Sequence, residues 1–418
     1  MKAIEESSET RQKTTRSPRL PIYAFFAGSA ISYAGDMLTA LAIPWFVLLT
    51  TGSVTQTGIT AFFSTLPAVF SAFFGSAIID RLGYKRTSVI GDIASAVTVM
   101  LIPLLYHTVG LAFWQLLALV FVGGLLKSPG VTARSSLVPD LAEMASMRLE
   151  RANALWDGVN RVSGLIGAPL AGFLIAIIGT SDLLWLDAIS FAISAVLIGL
   201  AVPSTPPVIS KEEDSARHYL SRLLDGMRFI RQDSLILTIV VTAMITNLLD
   251  GAFFSVLEPA YIKQAFHSAV PLGLIVAALG GAAFVGTIIF GIVGHRLPRR
   301  WTFGIGYTIG GSFRFWILLL PALPVIIAWN VIAGLCIAPI NPIADTVMQE
   351  RIPAAMRARV FGSMSAGVLA GIPLGTFAGG FVATWLGLRA TLLFMGAVYL
   401  LTTLSLLINP ALKKMDKR

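Results

Sequence analysis

Long apolar runs separated by short polar connections make up most of the chain. A helix needs about 20 apolar residues to cross a bilayer core of roughly 30 Å. In lipid the backbone polar groups must be satisfied within each segment, so these runs predict helices. Twelve spans are predicted, at 21–48, 55–79, 87–106, 111–132, 153–178, 183–202, 234–260, 271–294, 302–320, 324–344, 360–383 and 388–408.

The spans form two halves that repeat. Residues of the same type recur 215 positions apart across the first four spans, in the pairs Pro44 and Pro259, Gly58 and Gly273, and Trp114 and Trp329. After the fourth span the offset falls to 204, as for Pro169 and Pro373, which predicts a loop at 132–151 that is 11 residues longer in the first half. Two six-helix halves in the same orientation predict an all-α membrane protein with a site at their interface.

The repeat and the polar stretches divide the chain into five parts. We predict a tail at 1–20, a six-helix bundle at 21–202, a linker at 203–233, a second bundle at 234–408 and a tail at 409–418. Apolar residues at helical spacing from Tyr219 to Ile230 predict an amphipathic linker helix on the inner membrane face. A plain solvated linker is the alternative, because few apolar residues define that face.

Composition and charge agree with this picture. The chain is 56% hydrophobic and 13% charged, a balance that excludes an ordinary soluble protein. The net charge is +9, but Lys and Arg cluster in every second loop and leave only Lys263 and Arg389 in the others. This bias predicts a multi-pass protein of the cell membrane with both termini in the cytoplasm. It accounts for the basicity, so no nucleic-acid partner is expected.

Two short charged connections stand at corresponding places in the halves. The first, SAIIDRLGYKRT at 76–87, contains Ser76, Asp80, Arg81, Gly83, Lys85 and Arg86. The second, at 291–301, contains Gly291, His295, Arg296, Arg299 and Arg300. Asp80 ends a helix at its negative pole, where a carboxylate needs a cationic partner. The basic residues alone serve to fix topology, but that role requires no acid.

The first connection is similar to the loop motif Gly-x-x-x-Asp-Arg-x-Gly-x-basic-basic of the major facilitator superfamily, with Ser76 in place of the first Gly. The segments 35–53, 151–174 and 357–375 resemble the branch that holds macrolide efflux pumps and the enterobactin exporter. The resemblance implies the superfamily fold of twelve helices. It also implies that Asp80 forms a latch with the start of the eleventh span, where Arg357 and Arg359 lie, and so closes the cytoplasmic side.

The fifth span and its counterpart, the eleventh, are rich in small residues and proline, in particular Gly164, Gly167, Pro169, Gly172 and Pro373. Small residues allow close helix approach, and proline bends a helix. The fifth span resembles a motif of drug–proton antiporters, with Ala168 and Phe173 where that motif has Gly. Ordinary helix packing explains these residues equally well. The Arg that many antiporters carry in the fourth helix is absent, and Lys127 is expected to reach the inner surface.

Ionisable residues deep in the spans are the candidate functional groups. Asp36 and Asp250 lie roughly 21 and 22 Å into the membrane, and Arg314 roughly 18 Å. We predict that these three couple protons or bind substrate. The expected partner of Arg314 is Asp250, Asp345 or an anionic group of the substrate. The alternatives are an Asp36 satisfied by Ser32 or Thr39, and an Arg314 in a structural ion pair. Three further acids lie close enough to span ends to be solvated, namely Asp187, Glu258 and Asp345.

The prediction is therefore a secondary active transporter, a proton-coupled exporter of amphipathic small molecules such as drugs or macrolides. Alternatives are an importer, an exporter of a siderophore-like anion bound at Arg314, and a non-transporting scaffold or receptor. The sequence lacks a P-loop, a His-Glu-x-x-His pair and a Gly-x-Ser-x-Gly motif, so no enzyme, cofactor or metal is expected. The expected partners are substrate, protons and the bilayer, with the protein acting as a monomer.

Overall fold

A computed structural model describes residues 19–204 and 216–416, and within these ranges the chain is helical with no strand. Nine of the described helices are long and apolar enough to cross a membrane. One of them, Leu149–Ala201, is two spans joined at Gly179, whose φ of +83° breaks the helix. Val54–Leu82 and the interrupted segment 299–317 fill the two remaining positions, so the described helices occupy all twelve predicted places.

Each predicted span corresponds to one helical segment of the structure. These segments are Leu20–Thr51, Val54–Leu82, Tyr84–Thr108, Phe113–Met144, 149–178, 180–201, Ser234–Phe266, Val270–Val293, 299–317, Leu323–Arg351, Ala354–Leu386 and Leu388–Ile408. The seventh and ninth spans each contain a π-helical stretch, Phe253–Leu257 and Gly306–Ser312. Such stretches widen a helix locally and are frequent at functional sites.

The predicted long loop at 132–151 is wrong. The fourth helix continues to Met144, and only 145–148 separate it from the fifth. Its polar end stays helical because one face is apolar: Leu137 and Leu141 are buried against Ile22 and Phe25 of the first span. Most of the 11 extra residues are therefore additional helix.

The linker contains the predicted helix, Ala216–Gln232, which packs on the eleventh span. Asp225 accepts a hydrogen bond from Arg359 at 3.3 Å, and Ile230 is buried beside Ile236 and Met348. Its position at a membrane surface stays a prediction. The predicted tail after 409 is partly folded, since Pro410–Met415 form a 3₁₀ helix whose Leu412 is fully buried.

Apolar side chains also cover the outside of the bundle. Large residues such as Leu200, Leu401 and Ile408 are more than two-thirds exposed. Broad exposed apolar surface of this kind marks contact with a membrane. One buried apolar cluster joins residues of both halves, and there are two further clusters, one in the first half and one in the second half with the linker helix.

Candidate functional site

The two halves contact each other at the far side of the bundle, meaning the end at which Thr51 and Leu388 lie, opposite the termini. Thr55 of the second span and Thr384 of the eleventh bring their hydroxyl oxygens to 2.5 Å. A Cβ built on Gly58 would lie 2.8 Å from the Cα atom of Gly380, so the two helices touch through their backbones. The fifth and eighth spans make a similar contact at Gly172, where a Cβ would lie 3.1 Å from the Cα atom of Gly273. The far side is therefore closed across these helix pairs, and residues of both halves, among them Leu48 and Lys263, line a cavity of about 790 Å³ at this end.

Toward the terminal side, where Leu20 and Ile408 lie, the halves separate. Among the described side chains of the second and eleventh spans, the halves make a ring contact at Phe62 and Phe377, with 5.4 Å between ring centroids. A Cβ on Gly362, closer to the terminal side, would meet no atom within 4 Å, whereas the fifth and eighth spans still touch at Gly281, where a Cβ would lie 2.8 Å from Cδ1 of Leu165. A cavity of about 520 Å³ lies on this side, lined by residues that include Arg161, Asn247, Asp250, Arg314, Asn341, Met364 and Tyr399. The structure is thus open toward the termini and closed at the far side.

Two of the predicted residues meet at this cavity. Arg314 forms an ion pair with Asp250, one of its expected partners. Its guanidinium also lies over aromatic rings, 4.5 Å from the centroid of Phe254 and 5.0 Å from that of Phe253. The Arg314 side chain is only 4% exposed, and its charge is permanent. The pair is therefore a fixed cation matched by a carboxylate that can gain or lose a proton.

Glu258 was expected to be solvated, and this prediction is wrong. The seventh helix continues past 260 to Phe266, and Glu258 is 2% exposed among buried neighbours. Its Oε2 atom has no hydrogen-bond partner among the described residues, and neither does Nε of Arg314.

In the first half Asp36 pairs with Lys127 of the fourth span. The Lys127 ammonium also lies 4.7 Å from the ring centroid of Phe191. The prediction that Lys127 reaches the inner surface is wrong, because the helix runs on for 17 residues to Met144 and leaves Lys127 within the bundle. The alternative that Ser32 or Thr39 satisfies Asp36 is also wrong, since both hydroxyls bond to other carboxylates.

Those carboxylates are Asp187 and Asp92, and both are buried. Asp187 is fully buried and accepts hydrogen bonds from Thr39 and Ser190, contrary to the expectation that it is solvated. Asp92 pairs with Arg134, and their side chains are 4% and 3% exposed. Asp345, by contrast, is exposed as expected.

The first charged connection has the turn that its sequence predicts. Gly83 separates the second and third helices with a φ of +79°, a conformation that favours glycine. Arg81 and Arg86 are exposed, while Asp80 and Lys85 are half-buried. Ser76 lies in the last turns of the second helix.

The basic residues of the predicted latch bond to the linker helix and to the second half in this conformation. Arg359 pairs with Asp225 of the linker helix. Arg357 donates to the backbone carbonyls of Ile352 and Gln349, at 3.2 and 2.9 Å. The latch with Asp80 would close the terminal side, which is open in this structure, so it stays a prediction.

The second connection is built differently. Arg299 forms a bidentate pair with Glu350 at 2.6 and 2.9 Å, and Arg300 donates to the carbonyl of Leu407 at 2.5 Å. His295 and Arg296 are exposed and hydrogen-bonded to each other at 3.2 Å. A Cβ on Gly291 would meet no atom within 4 Å.

The small residues of the fifth span pack against two partners. A Cβ on Gly167 would lie 2.8 Å from the Cβ atom of Met37 in the first span, whereas Gly172 faces the eighth span. Gly164 has no close neighbour, and Pro169 and Pro373 lie inside their helices. Gly167 thus serves packing within the first half, and Gly172 serves the contact between halves.

Comparison with known proteins agrees with this geometry. A multidrug efflux pump named Tap from Mycobacterium tuberculosis is 28% identical over 410 residues, which cover 96% of each chain. Macrolide efflux protein A from Streptococcus pyogenes is 18% identical over 82% of this chain and 84% of its own.

Solved structures show the same fold. The nucleoside transporter NupG superposes with a TM-score of 0.73 at 13% identity, covering 95% of this chain and 99% of its own. A bacterial homologue of the iron transporter ferroportin in an inward-facing state gives 0.69 at 15% identity, covering 95% and 99%. The family model described as Major Facilitator Superfamily matches residues 25–255 and 240–417. This chain belongs to the major facilitator superfamily.

Proposed function

We propose that the protein is a proton-coupled exporter of amphipathic small molecules such as drugs or macrolides, and that it works by alternating access. The observation that carries this proposal is the Asp250–Arg314 pair, which lines a cavity open to one side while the two halves close the other. The names of the multidrug and macrolide efflux relatives support the substrate class.

The proposed orientation has both termini in the cytoplasm of a plasma-membrane protein, because Lys and Arg concentrate on the terminal side. The cavity then faces the cytoplasm, where an exporter loads its substrate. Aromatic and Met side chains around a few polar groups suit an amphipathic ligand. We propose that a monomer suffices, with protons as the coupling ion.

Proton coupling or substrate binding is assigned to the paired groups of both halves. Each half contains a carboxylate beside an opposite charge. The pairs are Asp36 with Lys127 and Asp250 with Arg314. Such pairs change partner or protonation when access to the two sides alternates. Asp80, Arg357 and Arg359 are proposed to latch the terminal side when the far side opens.

A siderophore-like anion is the second candidate substrate, and Arg314 is the residue that favours it. Its charge is already matched by Asp250, which weakens an anion site. A scaffold or receptor role is disfavoured because buried ion pairs cost stability unless they are used.

Purified protein in liposomes tests the proposal with ethidium and erythromycin as substrates. An imposed pH gradient should drive both compounds across the membrane, and an uncoupler should abolish that movement. Protein-free liposomes are the control. Failure of the pH gradient to move either compound would contradict the proposal.

A further inference from the structure

Glu258 is a buried acid that forms no ion pair with the residues that the structure describes. It is 2% exposed, and its Oε2 atom lacks a hydrogen-bond partner among the described residues. A bare carboxylate in such a place is costly unless it carries a proton or meets a cation. The packing around Glu258 therefore requires one of these two conditions.

Arg314 lies along the stretch of the seventh span that separates Asp250 from Glu258. It pairs with Asp250, its guanidinium lies over the rings of Phe253 and Phe254, and its Nε–H is a buried donor without an acceptor among the described residues. The two acids lie eight residues apart, with the π-helical stretch Phe253–Leu257 between them. A π stretch turns the chain by less than 100° per residue, which brings residues eight apart nearer to one face than a regular helix does.

The other titratable groups at this level have partners or are neutral phenols. Tyr261 donates to the carbonyl of Leu319 at 3.0 Å, and Lys263 donates to the carbonyl of Leu48. Tyr399 of the twelfth span packs against the Arg314 guanidinium, with 5.6 Å to its ring centroid. The segments 43–51, 54–79 and 270–293 of the neighbouring first, second and eighth spans contain no titratable side chain.

We propose that Glu258 carries the transported proton, and that Arg314 exchanges between Asp250 and Glu258 to load and release it. This inference rests on the proposed proton-coupled export. In the present conformation Arg314 is held by Asp250, and Glu258 holds a proton on Oε2. A cationic substrate that enters the cavity pairs with Asp250 and displaces Arg314.

Arg314 then pairs with Glu258, and the Glu258 O–H bond breaks. Its electron pair stays on Oε2 as a carboxylate, and the proton leaves through the cavity to water on the terminal side. When the far side opens and substrate departs, Arg314 returns to Asp250 and Glu258 takes a proton from that side. Each turnover exchanges one substrate cation for one proton.

The test is proton release on ethidium binding in weakly buffered detergent solution. Wild-type protein should release about one proton per ethidium bound, and its affinity for ethidium should rise about tenfold per pH unit. Glu258→Gln should bind ethidium without proton release and without pH dependence. In liposomes it should exchange ethidium for ethidium but lose about tenfold in accumulation driven by a pH gradient. Asp182→Asn removes an acid from an exposed position and should behave as wild type.

The outcomes separate this inference from the proposed function. Gradient-driven ethidium transport that survives unchanged in Glu258→Gln overturns the role of Glu258 and leaves export intact. Absence of gradient-driven transport in the wild type refutes the proposed function itself. If Glu258→Gln does not fold, infrared difference spectra of the wild type decide the question. Ethidium should remove the band of a protonated carboxylic acid, and an unchanged band contradicts the inference.

Discussion

Lys263 donates a hydrogen bond to the backbone carbonyl of Leu48, and these two residues are 215 positions apart, the offset that relates the halves. Residues equivalent by a pseudo-two-fold axis meet only close to that axis. The contact therefore lies at the centre of the closed far side, between the last turns of the first span and of the seventh.

Lys263→Met keeps the apolar stem and removes the donor, so it should favour opening of the far side. A hydrogen bond from a charged group contributes about 1.5–3 kcal/mol. This corresponds to a shift of at most about 10- to 150-fold in the equilibrium between the closed and open far side. The measurement is labelling of Thr57→Cys, a fully buried position near the far end of the second span, by an impermeant maleimide in a Cys336→Ala background. Arg389→Met, which removes the other far-side basic residue, should leave the labelling rate unchanged. Equal rates in all three proteins would exclude Lys263 from closure.

Gly380→Val should hinder closure of the far side and reduce transport. Its Cβ would lie 2.9 Å from the Cα atom of Gly58 and 3.1 Å from the carbonyl oxygen of Val54. Both are backbone atoms, which cannot shift cheaply. Overpacking of this kind costs about 1–3 kcal/mol. The Cβ atom of Gly362→Val on the same helix would meet no atom within 4 Å in this conformation, so this variant should leave far-side labelling as in wild type.

Arg134→Met should strongly destabilise the first half, because it leaves the Asp92 carboxylate buried without its counter-charge. Loss of one member of a buried pair costs about 3–5 kcal/mol. The double variant Arg134→Met with Asp92→Leu should recover part of that loss, as measured by thermal unfolding in detergent. Arg148→Met breaks an exposed pair and should cost at most about 1 kcal/mol. A double variant less stable than the single one would contradict this assignment.

Acid should weaken the junction between the linker and the second half. Burial alone would raise the pKa of Asp233, but hydrogen bonds from Arg351 and from the amides of Leu235 and Ile236 outweigh it and hold that pKa below its ordinary 3.8. Because the pKa is lower in the folded state, ionised Asp233 contributes to the free energy of unfolding above the unfolded-state pKa. That contribution is lost as the pH falls through the folded-state pKa. Asp233→Asn should therefore lower the melting temperature at neutral pH and match wild type in strong acid. A constant difference at every pH would refute this linkage.

Asp80→Asn should impair transport far more than His295→Asn. Asp80 is the acid of the proposed latch, whereas His295 is exposed and bonds only its neighbour Arg296 among described residues. Initial rates of ethidium transport in liposomes make the comparison. Equal losses in the two variants would mean that the first connection only fixes topology.

The architecture was predictable from sequence because hydropathy and the 215-residue repeat both report on membrane spans. The depth of Asp250 and Arg314 likewise indicated a possible pair. Lys127, Asp187 and Glu258 were misplaced for one shared reason. Hydropathy ends a span where polar residues begin, but the helices continue through those residues when one face stays packed. The helix ends that the structure shows place all three side chains inside the bundle.

The pairing of Asp36 with Lys127 could not be predicted from the sequence, for a second reason. The two residues are 91 positions apart on different helices, and neither periodicity nor the repeat brings them together. Ser32 and Thr39 were nearer in the chain but face other carboxylates. The rotation of each helix about its axis decides which nearby group a buried charge contacts. Apolar patterning does not determine that rotation when every face of the helix is apolar.

The connections between spans at the far side have one to five residues each, at 52–53, 109–112, 179, 267–269, 318–322 and 387. In the proposed orientation this is the surface that the cell presents to its surroundings. An antibody or a protein toxin arriving from outside would find almost no polypeptide above the lipid headgroups. Inhibitors of this protein must therefore be small enough to enter the membrane or the transport path itself.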